Sequence, residues 1–263
     1  MKPILPLSFA FCVMAATAPA AVVDIAITSV AHIRQASGVA NNNYGADGSL
    51  IVGRTAAPDT LRGLLATSLS AIPAGSTINS ITLHLNISGT GSVDNEPGEV
   101  LLGLHQLTGT FTEGNGDGNG ATPGGSNVEA TWNQRSNGVP WTPGGEFNAT
   151  ELSTASDDPS TAEGTPGSGA EDLVFESTDA FVAAAQLALD TNVPLSLLLK
   201  LNGTSETEVL RRPFFFDSDD DGTDPSNVAP FFTVDYTIPE PASALLAVAG
   251  LLPLALRRRR ISN

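Results

Sequence analysis

Cysteine is nearly absent: the 263 residues hold one, Cys12, close to the N-terminus. Neither a disulfide framework nor a thiolate metal site can be built from it. Basic residues are scarce too, 12 Lys and Arg against 28 Asp and Glu, for a formal net charge of −16. Lys2 and Arg257 to Arg260 stand at the two ends, so seven basic residues face the 28 acidic ones in between, near −21. Such a body repels nucleic-acid phosphates and anionic lipid headgroups, and the sequence shows no basic patch to offset it. Nucleic acid is therefore excluded as a partner. Also lacking are HExxH, GxSxG and any glycine-rich phosphate loop at a strand–helix junction. Many polysaccharide lyases lean on Tyr, His, Arg or Lys, and here the only tyrosines are Tyr44 and Tyr236. The chain reads as a non-enzyme. Its three histidines, His32, His84 and His105, lie far apart on predicted strands; His84 and His105 alternate with core residues and read as solvent-facing.

The two ends carry signals rather than fold. MKPILPLSFAFCVMAATAPAA has Lys2, an apolar stretch and the small residues Ala18 and Ala20 around Pro19. That is the build of a signal peptide, residues 1–20, cut after Ala20. Cys12 follows the bulky Phe11, which argues against lipidation there. At the other end, residues 242–256 form an uncharged run followed by Arg257, Arg258, Arg259 and Arg260. A helix of that length spans about 22 Å, short of the roughly 30 Å hydrocarbon core, so it would need snorkelling flanks or a thinned bilayer. Four arginines are costly to translocate; they stay cytoplasmic and leave the body outside.

Pro239, Glu240 and Pro241, the short apolar segment and the arginine cluster, in that order, resemble the PEP-CTERM sorting signal recognised by exosortases. The resemblance implies that residues 239–263 are a temporary inner-membrane anchor removed by an exosortase of a Gram-negative bacterium. The mature form would then lie at the cell surface or in an exopolysaccharide matrix.

Between the ends, residues 21–238, the apolar period is two. Ile81, Leu83, Leu85 and Ile87 alternate with Thr82, His84 and Asn86. Leu195, Leu197, Leu199 and Leu201 repeat the pattern, with Lys200 on the opposite face. Further strands are predicted over residues 23–33, 49–53, 61–67, 100–107, 173–176, 209–216 and 231–236, separated by Gly, Pro, Asn and Asp. STDAFVAAAQLALD breaks the pattern: Phe181, Ala185 and Leu189 share a helical face and Thr178 can cap it. Two segments, residues 113–127 and roughly 142–170, are so polar and glycine-rich that they read as unpacked loops. The expectation is all-β: a single, jelly-roll-like β-sandwich with one short helix.

NNNYGADGSLIVGR, LRGLLATSLSAIPAGSTINSITLHLNI, FTEGNGDGNGATPGGSNVEATWNQR and RRPFFFDSDDDGTDPSNVAPFFTVDY together resemble the DNRLRE (disaggregatase-related) family over nearly the whole body. Phe111 stands where that family commonly has Trp. The resemblance implies a β-sandwich module of the kind found beside polysaccharide-degrading domains, and hence binding or organising of extracellular polysaccharide. The alternative is a passive structural matrix protein with no ligand site; a glycan-cleaving enzyme ranks third.

Two groups of residues are candidates for chemistry. Asp217, Asp219 and Asp221 with Gly222 match the first half of a D-x-D-x-DG calcium loop, and Asp224 would supply a further ligand. The twelfth position is Val228 and strands flank the loop, so an EF-hand is excluded; a structural Ca²⁺ site is the expectation, a solvated acidic turn the alternative. Trp132 and Trp141 are the only tryptophans. Exposed indoles stack on sugar rings, whereas a sandwich tryptophan is otherwise core. Trp132 sits beside a strand and suits the core, while VPWTPGG places Trp141 in a turn that suits exposure.

The terminal motif order generates a first prediction. Intact-mass measurement of the surface form should show a chain without Arg257 to Arg260; finding them on most molecules overturns the sorting reading.

Overall fold

The structure, a computed structural model, describes residues 19–56, 59–90, 99–118, 129–157, 172–206, 213–219 and 228–238. In chain order the strands are β1 (Ala20–Ala26), β2 (Ser29–Arg34), β3 (Ser49–Ala56), β4 (Asp59–Thr67), β5 (Thr77–Thr90), β6 (Val100–Leu107), β7 (Gln134–Ser136), β8 (Val139–Pro140), β9 (Phe147–Asp157) and β10 (Asp172–Phe175). Helix α1 (Asp179–Thr191) follows, then β11 (Leu195–Leu201), β12 (Phe214–Asp217) and β13 (Phe231–Thr237). Hydrogen-bonded neighbours run β1-β13-β5-β12-β3-β4-β11-β6-β9, with β10 on β5 and β2 on β4; β7 and β8 form a separate hairpin. All these pairs are antiparallel.

The path folds over at β3. Its residues 49–52 pair with β12, whereas Gly53, Arg54 and Ala56 pair with β4. Gly53, at φ 128°, sits at the changeover, in a region that a side chain would disfavour. A front layer of β1, β13, β5, β10 and β12 therefore faces a back layer of β2, β4, β11, β6 and β9. Between them lie Ile81, Leu83, Leu85, Phe232 and Val234 from the front and Leu65, Leu102, Leu104, Leu197 and Leu199 from the back. Each such fully buried side chain contributes about 1.5–3 kcal/mol. The arrangement is sandwich-like, mostly strand, with one short helix.

Helix α1 closes one side of this core. Thr178 caps it, its Oγ1 accepting from the Phe181 backbone N–H at 3.1 Å, and Asn192 ends it in the left-handed conformation at φ 52°. Phe181, Ala184, Ala185 and Ala188 are its buried face. Gln186 docks the helix on β5: its Oε1 accepts from Ile78 N at 2.8 Å and its Nε2 donates to Ser76 O at 3.1 Å.

Several expectations need correction. Residues 23–33 are two strands, because Ile27 N donates to Pro230 O and Thr28 N to Ala66 O, which carries the chain from front layer to back. Strand β11 is buried on both faces, with Leu198 opposite Leu197 and Leu199. Residues 147–157, expected as loop, form β9, an edge strand that pairs with β6 alone and so needs little apolar sequence. Residues 113–118 are packed, not loose. Gly118 lies so close to the Tyr44 ring that a Cβ there would fall 1.9 Å from it. The 209–212 part of the predicted penultimate strand is outside the described residues.

Asn43 ties that loop down. Its Nδ2 donates to Glu113 O at 2.5 Å and Ala130 O at 2.9 Å, and its Oδ1 accepts from Gly116 N at 2.7 Å and Gly45 N at 3.1 Å. The amide's two donor hydrogens and both oxygen lone pairs are thereby used. Behind it, His32 is 1% exposed and stacks on Tyr44 with ring centroids 4.3 Å apart. Asp47 approaches its Nε2 at 4.0 Å, and Arg34 pairs with Asp59 at 2.5 Å nearby. Burial dominates over these charges and pushes the His32 imidazole down to about 3.

This burial predicts acid sensitivity. An unfolded histidine takes up a proton near pH 6.5 while folded His32 stays neutral to about 3. Stability is thus full above pH 6.5 and falls as pH drops through that window, by up to about 1.4 kcal/mol per unit. His105, also lowered by burial, adds to the loss, whereas the carboxyl of Asp47, raised by burial, opposes it at the acid end. Denaturation titrations between pH 7 and 5 should show His32→Phe taking up about one proton fewer on unfolding than wild type. An unchanged slope would show that His32 titrates normally.

Candidate functional site

Period-two alternation sends one set of back-layer side chains away from the main core. On β11 these are Ser196, Leu198 and Lys200; on β4 they include Arg62, Leu64 and Ala66, with Ser196 opposite Ala66 and Leu198 opposite Leu64. Leu64 and Leu198 would leave apolar surface in water, and residues 129–147 fold over them. Ala31, Ile33, Leu64, Leu107, Ala130, Trp132, Trp141 and Leu198 form this second core, with Phe111 and Phe147 packed at its border.

Both tryptophans belong to it. Trp132 is 8% exposed, as its place beside a strand suggested, but Trp141 is 6% exposed, contrary to the exposure that its turn suggested. Its Nε1 donates to Thr131 O at 3.1 Å and Trp132 O at 3.0 Å, so the indole is held inward at both its apolar and polar ends. Neither ring offers a free face to a sugar, so Trp132 and Trp141 are core residues and not stacking platforms. His105 is likewise covered: it is buried against Phe147, with Nδ1 3.0 Å from Asn148 O.

Beyond this cover the outer face ends in a cluster of cations. Arg62 Nε pairs with Glu206 Oε1 at 2.7 Å, and Lys200 Nζ with Glu206 Oε2 at 3.2 Å. Arg62 also donates through Nη1 to Gly144 O at 2.6 Å, and its guanidinium lies 5.2 Å from the Trp132 ring centroid and 5.4 Å from that of Phe147. Arg54, on the β3 segment beside β4, is 6% exposed and donates from Nη1 to Glu206 O at 2.7 Å. Its Nε has no hydrogen-bond partner among the described residues. Two cations thus share one carboxylate and a third bonds the backbone carbonyl of the same residue, in a chain of net −16. Arg211 and Arg212 follow Glu206 by a few residues in sequence. No basic patch was legible in the sequence because these residues come from three separated segments. The one available signal was that so acidic a body spends its few cations on strands.

The acidic segment is described only at its start. Asp217 Oδ2 accepts from Val228 N at 2.9 Å and, through a shorter bond, from Asn86 Nδ2, so this carboxylate closes the base of the loop between β12 and β13. Ser218 Oγ lies 3.5 Å from Asp219 Oδ1. Asp221 and Asp224 are outside the described residues, as are Pro239, Glu240, Pro241, Arg257, Arg258, Arg259, Arg260 and the apolar run 242–256. Among the described residues no three His, Cys, Asp or Glu are grouped to hold a metal ion, and no helix is long and apolar enough to cross a membrane. No family model matches the chain, and no curated protein matches it.

The burial of both indoles is directly measurable. Trp132 and Trp141 should emit at short wavelength and resist acrylamide quenching several-fold better than in urea-unfolded protein. Quenching close to the unfolded rate would return one of them to the surface.

Proposed function

We propose that this chain is an exported, exosortase-processed protein of the cell surface or extracellular matrix, whose jelly-roll-like body binds acidic polysaccharide. The Arg54, Arg62 and Lys200 cluster carries the reading. Buried cations attract anions far more strongly than solvated ones, because little water screens them. An acidic polymer would be repelled by the rest of the body, so one local excess of positive charge decides where it docks. Guanidinium groups suit carboxylate or sulfate oxygens through paired N–H donors, and the half-buried Arg62 brings such a group to the edge of the cluster. The terminal motif order supports export and matrix location, since the PEP-type tail accompanies exopolysaccharide production. The competing reading, a passive matrix protein, treats the same cluster as a neutralising bracket for Glu206.

Calcium belongs to the same proposal. Asp217 spends Oδ2 on the loop base, and its other oxygen, with Asp219, Asp221 and Asp224, suits a hard cation that would hold the loop and cancel its charge.

Affinity electrophoresis through gels containing alginate, pectate or neutral dextran tests the reading. The acidic polymers should retard the protein, less so at higher salt, and Arg62→Gln with Lys200→Gln should weaken retention by about tenfold or more. Equal mobility in every gel supports the passive reading. Millimolar calcium should also raise the melting temperature by several degrees over chelator; coincident curves dismiss the metal.

A further inference from the structure

A cleft of about 170 Å³ opens at the other end of the same outer face. Thr28, Ser29, Ser68, Thr110 and Ser196 line it with hydroxyl-bearing side chains, and Phe111 brings an aromatic ring. None of the residues lining it is ionisable, in a chain where charged residues are 15% of the total. Phe111 is half-buried and packs on the second core, which fixes the ring as a wall instead of leaving it to swing in solvent. Among the described residues Ser196 Oγ makes one long bond, 3.4 Å to Pro194 O. A hydroxyl both donates and accepts, so such a set matches the alternating donors and acceptors of another polyol. Sites for drug-sized ligands run roughly 300–1,000 Å³, so this one suits a single ring.

We propose that this cleft is a subsite for one neutral sugar residue, its ring on Phe111 and its hydroxyls on the Ser and Thr groups. Strand β11 links it to the cation cluster. Ser196 lies at the cleft and Lys200 in the cluster, four residues apart on one face and so about 13 Å along the strand. Resting on the acidic-polysaccharide reading, this spacing assigns the ligand as a heteropolymer whose neutral and acidic units recur a few sugars apart.

Saturation-transfer NMR on the full-length protein tests it with four probes: methyl glucoside, methyl galactoside, N-acetylglucosamine and glucuronate. At least one neutral probe should show saturable transfer. Phe111→Ala should weaken it about tenfold, the scale of one aromatic contact. Ala66→Val, which fills the cleft from its β4 side, should do the same with unchanged circular dichroism, and guards against Phe111→Ala failing to fold. Arg62→Gln should leave neutral binding intact and remove glucuronate transfer. No transfer from any neutral probe, or transfer insensitive to Ala66→Val, overturns the subsite. Loss of glucuronate binding in wild type alone would overturn the acidic reading and leave the cleft standing.

Discussion

One side-chain amide ties three separated stretches of this chain together. Asn43 is buried and reaches Glu113, Gly116 and Ala130 while bracing its own turn at Gly45. A buried amide with all four of its hydrogen-bonding positions filled is stable; the same amide with one partner missing costs about 1–3 kcal/mol. The partners therefore cannot drift independently. Glycines at 114, 116 and 118 make the approach close enough, since side chains there would strike Glu129, Asn43 and Tyr44. From this anchor the segment that follows Ala130 runs over the back layer and brings Trp132 and Trp141 onto Leu64 and Leu198.

That cover explains the unusual double burial of the back layer. A sheet in a two-layer sandwich needs apolar residues on one face only. Here β4 and β11 carry them on both, and a third layer of irregular chain answers the second face. Irregular chain has unpaired backbone groups to satisfy. It does so through Trp141 Nε1 and through bonds such as Gly144 N to Trp132 O at 2.8 Å. At the far edge of the cover the indole of Trp132 and the ring of Phe147 support Arg62. Packing and charge are thus coupled: the second core positions the cations, and Glu206 keeps them from repelling one another apart.

Most strands were legible because alternation is a local property. The 100–107 and 195–201 strands appear where the pattern puts them, and Thr178 caps the helix as its hydroxyl and spacing suggested. Strand β9 was not legible. Its partner supplies hydrogen bonds on one side only, and its residues are mostly polar, so nothing in their order marks it as strand. The cleft at Phe111 was equally invisible, since its walls come from β2, β4, β11 and the 110–111 turn.

The sequence by itself determined the all-β class, the helix and its cap, and the acidity of the body. All of these rest on neighbours in the chain. Only the tertiary structure decided that Trp141 turns inward, that β11 is buried twice, and that Arg54, Arg62 and Lys200 share Glu206. These depend on segments up to about 150 residues apart, such as Arg54 and Glu206, being brought into hydrogen-bonding distance. No periodicity encodes such a meeting; the fold-over of the sheet at β3 and the Asn43 anchor enforce it.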